Sequence, residues 1–364
     1  MKKSFEEVFE DQTKYGTKVK TEEYCISGAH IIVDQGQGQI AGYTDREDGL
    51  FADVPAIVFG DHTRVIKYVD TPFYLGADGV KVLRCRFENA NYRYLYYALK
   101  SARIPNTGYN RHYKWLKETR INYPDAERQA EIVGILDRVM EVIGKRQQQL
   151  NAYDDLVKAR FVEMFGDPVH NSKGWEMNSV EEICTSIYGG GTPSKSHPEY
   201  YENGDIPWVS SKDMKADVLY DSQIHINKLG LENSTAQMVP VDSVIMVIRS
   251  GILKHTLPVA INAVPITVNQ DLKVFIPGEK MHSRFLAVQF KMHEKDILSG
   301  VRAVTADNIE FNSLKQRRII VPPIEKQKEF ISFAKQVDKS KAQVQKALDE
   351  TQVLFDSLMQ EYFG

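Results

Sequence analysis

Three glutamines alternate with glycines near the start of the chain, at Gln35, Gln37 and Gln39. A glutamine amide carries a donor and an acceptor that together match the N6 and N7 edge of adenine in the major groove of DNA. The same residue types also make an ordinary solvated turn. The residues alone leave both interpretations open.

A second polar cluster is the segment GDHTR, from Gly60 to Arg64. His62, Thr63 and Arg64 carry side chains that bind phosphates or the edge of a guanine. In the alternative interpretation, the segment is a structural turn in which Asp61 hydrogen bonds with the backbone.

The second half of the chain offers comparable segments. The glycines at 189–191 have no side chains, so a phosphate can approach the backbone N–H groups there. The segment that starts at Arg249 matches GDHTR by its position in the repeat. For each of these candidates, the alternative interpretation is a solvated loop residue with no ligand. The candidate nucleic-acid contacts are Gln35, Gln37, Gln39, Arg46, His62, Thr63, Arg64, Lys67, Gly190, Gly191, Thr192, Ser194, Lys195, Ser210, Ser211, Lys212, Arg249, Ser250 and Lys254.

No motif for catalysis accompanies these residues. The sequence lacks a Gly-x-x-x-x-Gly-Lys phosphate loop, an Asn-Pro-Pro-Tyr or Asp-Pro-Pro-Tyr element and a Gly-x-Ser-x-Gly elbow. The nearest Cys–His pair, Cys25 and His30, is no metal site by itself. We therefore expect a non-catalytic chain with no metal site and no cofactor of its own.

Long helices must position these segments. Between Pro124 and Gly166, apolar residues recur at spacings of three and four, which predicts one amphipathic helix. The pattern returns from Pro322 to Gly364, and the similarity extends upstream, where Thr107–Ile121 aligns with Thr305–Ile319. This is an internal repeat. Two such helices in one chain favour a coiled coil, although each could instead lie on its own sheet.

The rest of the chain shows strand and turn patterns. Residues 1–123 and 167–321 each predict a mixed α/β domain, in which the segment 78–83 occupies the place of 270–275. The expected order is thus domain 1–123, helix 124–166, domain 167–321 and helix 322–364. Two unlike heads held by a helical pair suit a bipartite target such as DNA, whose equivalent faces recur about every 34 Å.

Composition adds weaker constraints. Three isolated cysteines indicate a reducing compartment, and we expect a cytoplasmic location. No apolar run approaches 18 residues and no signal peptide is recognised at the start, so no membrane association is expected. The net charge of −3 argues against a general polyanion binder but leaves room for local basic patches.

In combination, these segments resemble the specificity (S) subunits of type I restriction–modification systems. The first domain shows GDHTR followed by VIKYVDTPFYLGADGVKVL, and the second shows GGGTPS, YYENGDIPWVSSKDM and VNQDLKVF. PDAERQAEI and PPIEKQKEF are similar to the family's repeated helix openings, except that Asp125 replaces the second proline and Lys328 follows Gln327.

The resemblance implies an α+β fold in which two target recognition domains are separated by two long helices that pair as an antiparallel coiled coil. Each domain would read one half of an asymmetric double-stranded DNA site. The helices would set the spacer and dock two methyltransferase (M) subunits. S-adenosylmethionine would belong to those subunits, and ATP and Mg to two restriction (R) subunits where the system has them.

Acidic and amide residues at both helix openings are candidates for the contact with M. The favourable interaction of acids with a helix N-terminus explains them equally well. These candidates are Glu127, Gln129, Glu131, Glu325, Gln327 and Glu329. A two-headed interaction protein that binds no DNA remains the alternative function.

Overall fold

The structure is a computed structural model that describes residues 1–76, 78–300, 302–303 and 307–364. It divides into a first unit, residues 1–148 with 344–364, and a second unit, residues 149–343. Within the repeat segment Thr305–Ile319, Thr305 and Ala306 lie outside the described residues. Each unit is a mixed α/β structure that includes part of both long helices.

The first unit builds its sheets from short strands. Its strands are β1 (Lys2–Ser4), β2 (Phe9–Asp11), β3 (His30–Val33), β4 (Gly42–Thr44), β5 (Ala56–Gly60), β6 (Ile66–Val69), β7 (Phe73–Leu75), β8 (Val80–Cys85) and β9 (Arg120–Asn122). Its helices are α1 (Phe5–Val8), α2 (Tyr92–Lys100), α3 (Tyr113–Lys117) and the start of α4 (Ala126–Phe165).

The second unit repeats this order with additional strands and helices. Its strands are β10 (Met177–Ser179), β11 (Cys184–Gly189), β12 (Ile206–Val209), β13 (Val218–Leu219), β14 (His225–Ile226), β15 (Val244–Val247), β16 (Val259–Asn262), β17 (Thr267–Val268), β18 (Leu272–Pro277), β19 (Arg302–Ala303), β20 (Asp307–Asn308) and β21 (Arg318–Ile320). Its helices are α5 (Val180–Ile183), α6 (Lys228–Glu232), α7 (Ser283–Met292), α8 (Glu294–Ser299), α9 (Phe311–Gln316) and the start of α10 (Ile324–Phe363).

The two units share one sheet topology. In the first, an antiparallel sheet has the order β2-β8-β5-β6, and in the second the order is β11-β18-β15-β16 with β13 added at the edge. A smaller sheet has the order β4-β3-β7 in the first unit and β14-β12-β17 in the second, with its central strand parallel to one neighbour and antiparallel to the other. The duplication predicted from the sequence is therefore confirmed in the strand order.

The helices that open the two units start with the same cap. Ser4 and Glu7 form a capping box at α1, and Ser179 and Glu182 form one at α5. These hydrogen bonds to the serines lower the pKa of both glutamates. Such a cap satisfies N–H groups that a helix start leaves without partners.

Strand β5 shows how the first unit forms its core. Alternate residues of a strand point to opposite faces. Ile57 and Phe59 pack in a cluster with α2 and the long helices, whereas Ala56 and Val58 pack in another cluster with Phe73. The strand is buried on both faces, which explains its continuous apolar sequence.

Both long helices begin and end as their sequences predict. The Asp125 carboxylate accepts a hydrogen bond from the backbone N–H of Arg128 at 2.8 Å, which caps the start of α4. At the end of α4, Gly166 has a φ of +76° and its N–H donates to the carbonyl of Val162. Glycine is the residue that adopts this left-handed conformation without a steric cost.

Within each unit, the two long helices contact each other in antiparallel directions. In the first unit, Arg128 lies over the ring of Tyr362 at 5.6 Å, and Arg146, further along α4, bonds to Thr351, earlier in α10. In the second unit, the rings of Phe161 and Phe330 lie 5.5 Å apart. The predicted antiparallel pairing is confirmed.

An arginine attaches the sheet-covering helix of each unit to the long helix that follows it. Arg93 is the second residue of α2, and its Nε lies 2.9 Å from the carboxylate of Asp137 on α4. Arg284 is the second residue of α7, and its guanidinium donates to both carboxylate oxygens of Asp338 on α10, at 2.9 and 2.8 Å. The ion pair is thus duplicated along with the fold.

The pairing of the helices predicts unequal effects for two leucines on α4. Leu150 is 7% exposed and Leu156 is 46% exposed. We expect Leu150→Asp to lower the free energy of unfolding by about 3 kcal/mol, because the buried carboxylate loses its hydration. Leu156→Asp should cost no more than about 1 kcal/mol, mostly through helix propensity. Urea denaturation of the isolated chain measures both, and equal losses would contradict the pairing.

Candidate nucleic-acid interface

In the first unit, three loops meet at the GDHTR turn. The backbone N–H of Asp61 donates to the carbonyl of Gly79 at 2.7 Å, and the N–H of His112 donates to the carbonyl of Asp61 at 2.8 Å. The Asp61 carboxylate accepts from the N–H of Tyr113 at 2.7 Å, at the start of α3. Asp61 therefore has the structural role that the turn interpretation assigns to it, and it brings the loop ahead of α3 beside His62.

The three glutamines of the glycine-rich loop have different surroundings. Gln35 accepts from the N–H of His62 at 3.2 Å and donates to the carbonyl of Asp78 at 3.1 Å, so its amide joins the loops. Gln39 is exposed, and its amide donates to the carbonyl of Tyr68 at 2.6 Å. Gln37 is exposed between them. Of the three, Gln37 presents its amide most directly to a ligand.

Residues 62–64 continue this set of loops. The Thr63 hydroxyl donates to the carbonyl of Gln35 at 2.6 Å, and Arg64 has a φ of +63° with its guanidinium 3.3 Å from the carbonyl of Ile104. The ring of His62 stacks on that of Tyr109, with centroids 4.7 Å apart and planes 8° apart. All three residues are half-buried, and His62 is the one whose ring contacts the exposed Tyr109.

Tyr109 is a surface aromatic that the sequence prediction did not include. It is 87% exposed and belongs to the loop 107–111, which also carries the exposed Arg111. An aromatic ring can stack on a nucleic-acid base, and an arginine can bind phosphate. The signal available in the sequence was a tyrosine within a polar segment that precedes a run of basic residues.

Two other candidates of the first unit are engaged in ion pairs. Lys67 is 3% exposed, and its ammonium lies 3.4 Å from the carboxylate of Asp34. Burial lowers the pKa of Lys67. Arg46 is exposed, but the Asp48 carboxylate lies 2.9 Å from its Nε and raises the pKa of Arg46. Lys67 is therefore buried beside Asp34, the residue that precedes Gln35, and its ammonium is not available at the surface.

In the second unit, close packing explains two of the three consecutive glycines. A Cβ atom at Gly190 would overlap the carbonyl oxygen of Val268, and one at Gly191 would overlap Thr235. The indole N–H of Trp208 donates to the carbonyl of Gly191 at 2.9 Å. The buried Trp208 thus holds the glycine segment against the smaller sheet.

The residues that follow the glycines lead to the surface. Thr192 donates its hydroxyl proton to the amide oxygen of Gln270, and Ser194 and Lys195 are exposed. After β12, the hydroxyl of Ser210 donates to the Asp213 carboxylate at 2.8 Å, which closes a turn. That turn carries the half-buried Ser211 and the exposed Lys212. Lys195 and Lys212 are therefore available at the surface of this unit.

The segment from Arg249 to Lys254 meets residues ahead of α9. Arg249 pairs with Asp271 at 2.6 Å, and the N–H of Ser250 donates to the carbonyl of Asp307 at 3.1 Å. The ammonium of Lys254 lies 3.7 Å from the Asp307 carboxylate. These three candidates are brought together, as His62 and the segment ahead of α3 are in the first unit.

The candidate loops of the two units occupy the same positions in the shared topology. Gln35–Gln39 follows β3 and Ser210–Lys212 follows β12, the central strands of the smaller sheets. GDHTR follows β5, and the Arg249 segment follows the equivalent β15. Their side chains differ, so one framework presents two different sets of hydrogen-bonding groups.

The amides at the two helix openings have a role inside the chain. Gln129 donates to the carbonyl of Pro124 at 2.9 Å, and Gln327 donates to the carbonyl of Pro322 at 2.8 Å. Both glutamines are buried, and Gln327 also accepts from the N–H of His282 at 2.9 Å. Each therefore joins a helix start to the residues beside it. The exposed residues of this candidate set are Glu127, Glu131, Glu325 and Glu329.

The residues that the structure describes contain neither a cluster of metal ligands nor a membrane-spanning helix. Among them, no group of three or more His, Cys, Asp and Glu side chains could hold a metal ion. No helix in the same residues is both long and apolar enough to cross a membrane.

Comparisons with known proteins agree in pointing to one family. The family model of the type I restriction modification DNA specificity domain matches residues 172–351. The type I restriction enzyme EcoR124I/EcoR124II specificity subunit of Escherichia coli is 29% identical over 347 residues, which cover 91% of this chain and 84% of that protein. The MjaIX specificity subunit of Methanocaldococcus jannaschii is 25% identical over 228 residues, which cover 57% of this chain and 51% of that protein.

A solved structure extends the similarity to the fold. The type I restriction–modification S subunit from M. genitalium superimposes with a TM-score of 0.56 at 15% sequence identity. The alignment covers 100% of this chain and 96% of that one. The two proteins share a fold.

The packing of the glycine segment predicts the effect of adding one methyl group. We expect Gly190→Ala to destabilise the protein by about 1–3 kcal/mol, because the backbone oxygen that its Cβ meets cannot move aside easily. Gly251→Ala is the matched control, since a Cβ there meets nothing within 4 Å among the described residues. Chemical denaturation compares the two variants. A control as unstable as Gly190→Ala would remove this explanation of the glycine.

Proposed function

Because this chain belongs to the specificity subunits of type I restriction–modification systems, we propose that each of its two units reads one half of a bipartite, asymmetric DNA site. Specificity subunits bind DNA, assemble with other subunits and perform no catalysis. The chain contributes recognition, while S-adenosylmethionine, ATP and Mg belong to the partner subunits. In this proposal the chain acts in the cytoplasm, where it binds DNA.

One observation carries this proposal: equivalent loops on a duplicated framework display different side chains. Gln37 and Tyr109 are exposed in the first unit, where the half-buried His62 stacks on Tyr109. Lys195, Lys212 and Arg249 are exposed in the second unit. Hydrogen-bonding groups at base edges determine sequence preference, so different groups on the same framework select different half-sites. The alternative function, a two-headed interaction protein that binds no DNA, is not supported by the similarity to known proteins.

The long helices serve assembly and spacing in this proposal. Two methyltransferase subunits dock on them, and two restriction subunits join where the system has them. Glu127 and Glu131 on α4, with Glu325 and Glu329 on α10, offer exposed carboxylates at equivalent places for these contacts. The repetition of these acids fits two copies of the same partner.

The decisive experiment is to express the chain with its methyltransferase subunit and to map methylated adenines over a host genome. We expect a single bipartite motif with two unlike halves separated by a fixed number of unspecified bases. A genome without a shared motif, in cells where the complex is purified intact, would defeat the proposal.

Each unit should control its own half of the motif. We expect Gln37→Ala to relax the half read by the first unit and Lys212→Ala to weaken or relax the other half, because the two residues belong to separate units. A lost base contact costs about 1–3 kcal/mol, or roughly 5- to 150-fold in discrimination. The methylated motifs of the two variants and the wild type measure this. If either variant changes both halves, the units do not read independently.

Helix length should determine the spacer. We expect the insertion of about four residues, roughly one helical turn, into α4 or α10 to lengthen the unspecified spacer and to leave both half-sites unchanged. The same methylation map provides the measurement. Changed half-sites at the original spacer would refute this role.

A further inference from the structure

Two lysines occupy equivalent places in the two units. Lys81 is the second residue of β8, and Lys273 is the second residue of β18. The ammonium of Lys81 lies 5.0 Å from the ring centroid of Tyr113, and that of Lys273 lies 4.5 Å from the ring centroid of Phe311. Each ring belongs to the first residue of the short helix that follows the candidate loops, α3 or α9. The cation–π contact is therefore duplicated.

The charge around the two lysines is not duplicated. Lys81 pairs with the carboxylate of Asp11 at 2.9 Å, and both side chains are about one-third exposed. Directly across the strand from Lys273 lies Gly189. Within the described part of the chain, no carboxylate lies within 4 Å of the Lys273 ammonium. The same framework thus holds a compensated cation in the first unit and an uncompensated one in the second.

The other lysine beside each ring is also compensated. Lys117 lies 5.6 Å from the ring centroid of Tyr113 and pairs with Glu6 at 3.1 Å. Lys315 lies 5.8 Å from the ring centroid of Phe311 and pairs with Glu181 at 2.5 Å. Lys273 therefore differs from all three of its counterparts.

Gly189 leaves space next to this cation. A Cβ atom at position 189 would lie 2.5 Å from the Lys273 Nζ, so any side chain there would displace the ammonium. Burial lowers the pKa of Lys273, which reflects a charge with reduced hydration and no counter-ion. An anion bound beside Gly189 would stabilise the Lys273 ammonium, whose hydration is reduced by burial. The exposed Lys195 follows the glycines in the sequence.

We propose that Lys273 binds a phosphate of the DNA backbone in the half-site of the second unit, and that Lys81 makes no such contact in the first. This inference rests on the proposed function and adds a residue to it. A lysine ammonium is a compact point charge without the paired donors of arginine, which suits phosphate better than the bidentate pattern of a base. The glycine segment has the role of leaving the ammonium accessible.

Salt-dependent DNA binding by the complex with the methyltransferase subunit tests the assignment. Each phosphate neutralised by a protein cation contributes about 0.9 to the slope of log K against log salt concentration. We expect Lys273→Gln to reduce that slope by about 0.9 and the affinity on the order of tenfold at low salt, equally on target and scrambled duplexes. Lys273→Arg should retain the slope. Lys81→Gln is the matched control and should leave the slope unchanged.

A chemical measurement on the unmodified complex guards against misfolding of the variants. Bound DNA should protect Lys273 from acetylation severalfold and should leave the reactivity of Lys81 unchanged, as read by mass spectrometry. An unchanged salt slope in a folded Lys273→Gln complex, or an unprotected Lys273, would overturn the inference. A change in the recognised bases would also overturn it, because a phosphate contact carries no sequence information.

The two proposals fail in different ways. If the wild-type complex shows no preference for any sequence, the proposed function fails. The comparison between Lys273 and Lys81 still decides the phosphate contact on any duplex, since that contact does not depend on sequence.

Discussion

The ends of the long helices complete the cores of both units, and the rest of the structure depends on this burial. In the second unit, Phe161 and Phe165 near the end of α4 pack with Phe285 of α7 and Phe330 near the start of α10. In the first unit, Met359 and Phe363 near the end of α10 pack with Tyr94 of α2 and Ile132 near the start of α4. Each fully buried aromatic contributes about 1.5–3 kcal/mol, so neither core is complete without both helices. The two 40-residue helices are therefore stabilised by packing in the cores at their ends and not by helix propensity alone.

Some contacts recur in both units of the duplicated framework, whereas the loops differ between the units. Several local contacts recur at equivalent positions: the capping boxes at α1 and α5, the buried glutamines at the helix openings and the lysine over an aromatic ring at β8 and β18. These contacts involve backbone groups or packed rings, so their geometry tolerates little change. The loops at one end of the strands differ in length and in side chains, and that is where base-reading groups are expected. Recognition can therefore diverge without altering the fold.

Local patterns in the sequence predict much of this architecture. Apolar spacing, the proline before each long helix and the glycine after it place α4 and α10 to within two residues. The repeat predicts that β8 and β18 are equivalent.

Burial of single polar residues was not predictable, because it depends on partners far along the chain. Gln327 reads as a surface residue of an acidic helix opening, but its partners are His282 and Lys280. Lys67 reads as an exposed cation in a strand, but Asp34 pairs with it in the interior. Tyr109 was missed because its stacking on His62 joins two loops that are distant in sequence.

The paired attachments of Arg93 to Asp137 and of Arg284 to Asp338 have an evolutionary consequence. Each joins a sheet-covering helix to a long helix through one arginine at the second helical position. A gene segment could encode a different globular part and still retain this arginine and the aromatic residue that follows it, Tyr94 or Phe285. Such a part would fit the existing long helix. If the chain has the proposed function, recombination between related genes would therefore exchange whole recognition modules in one event.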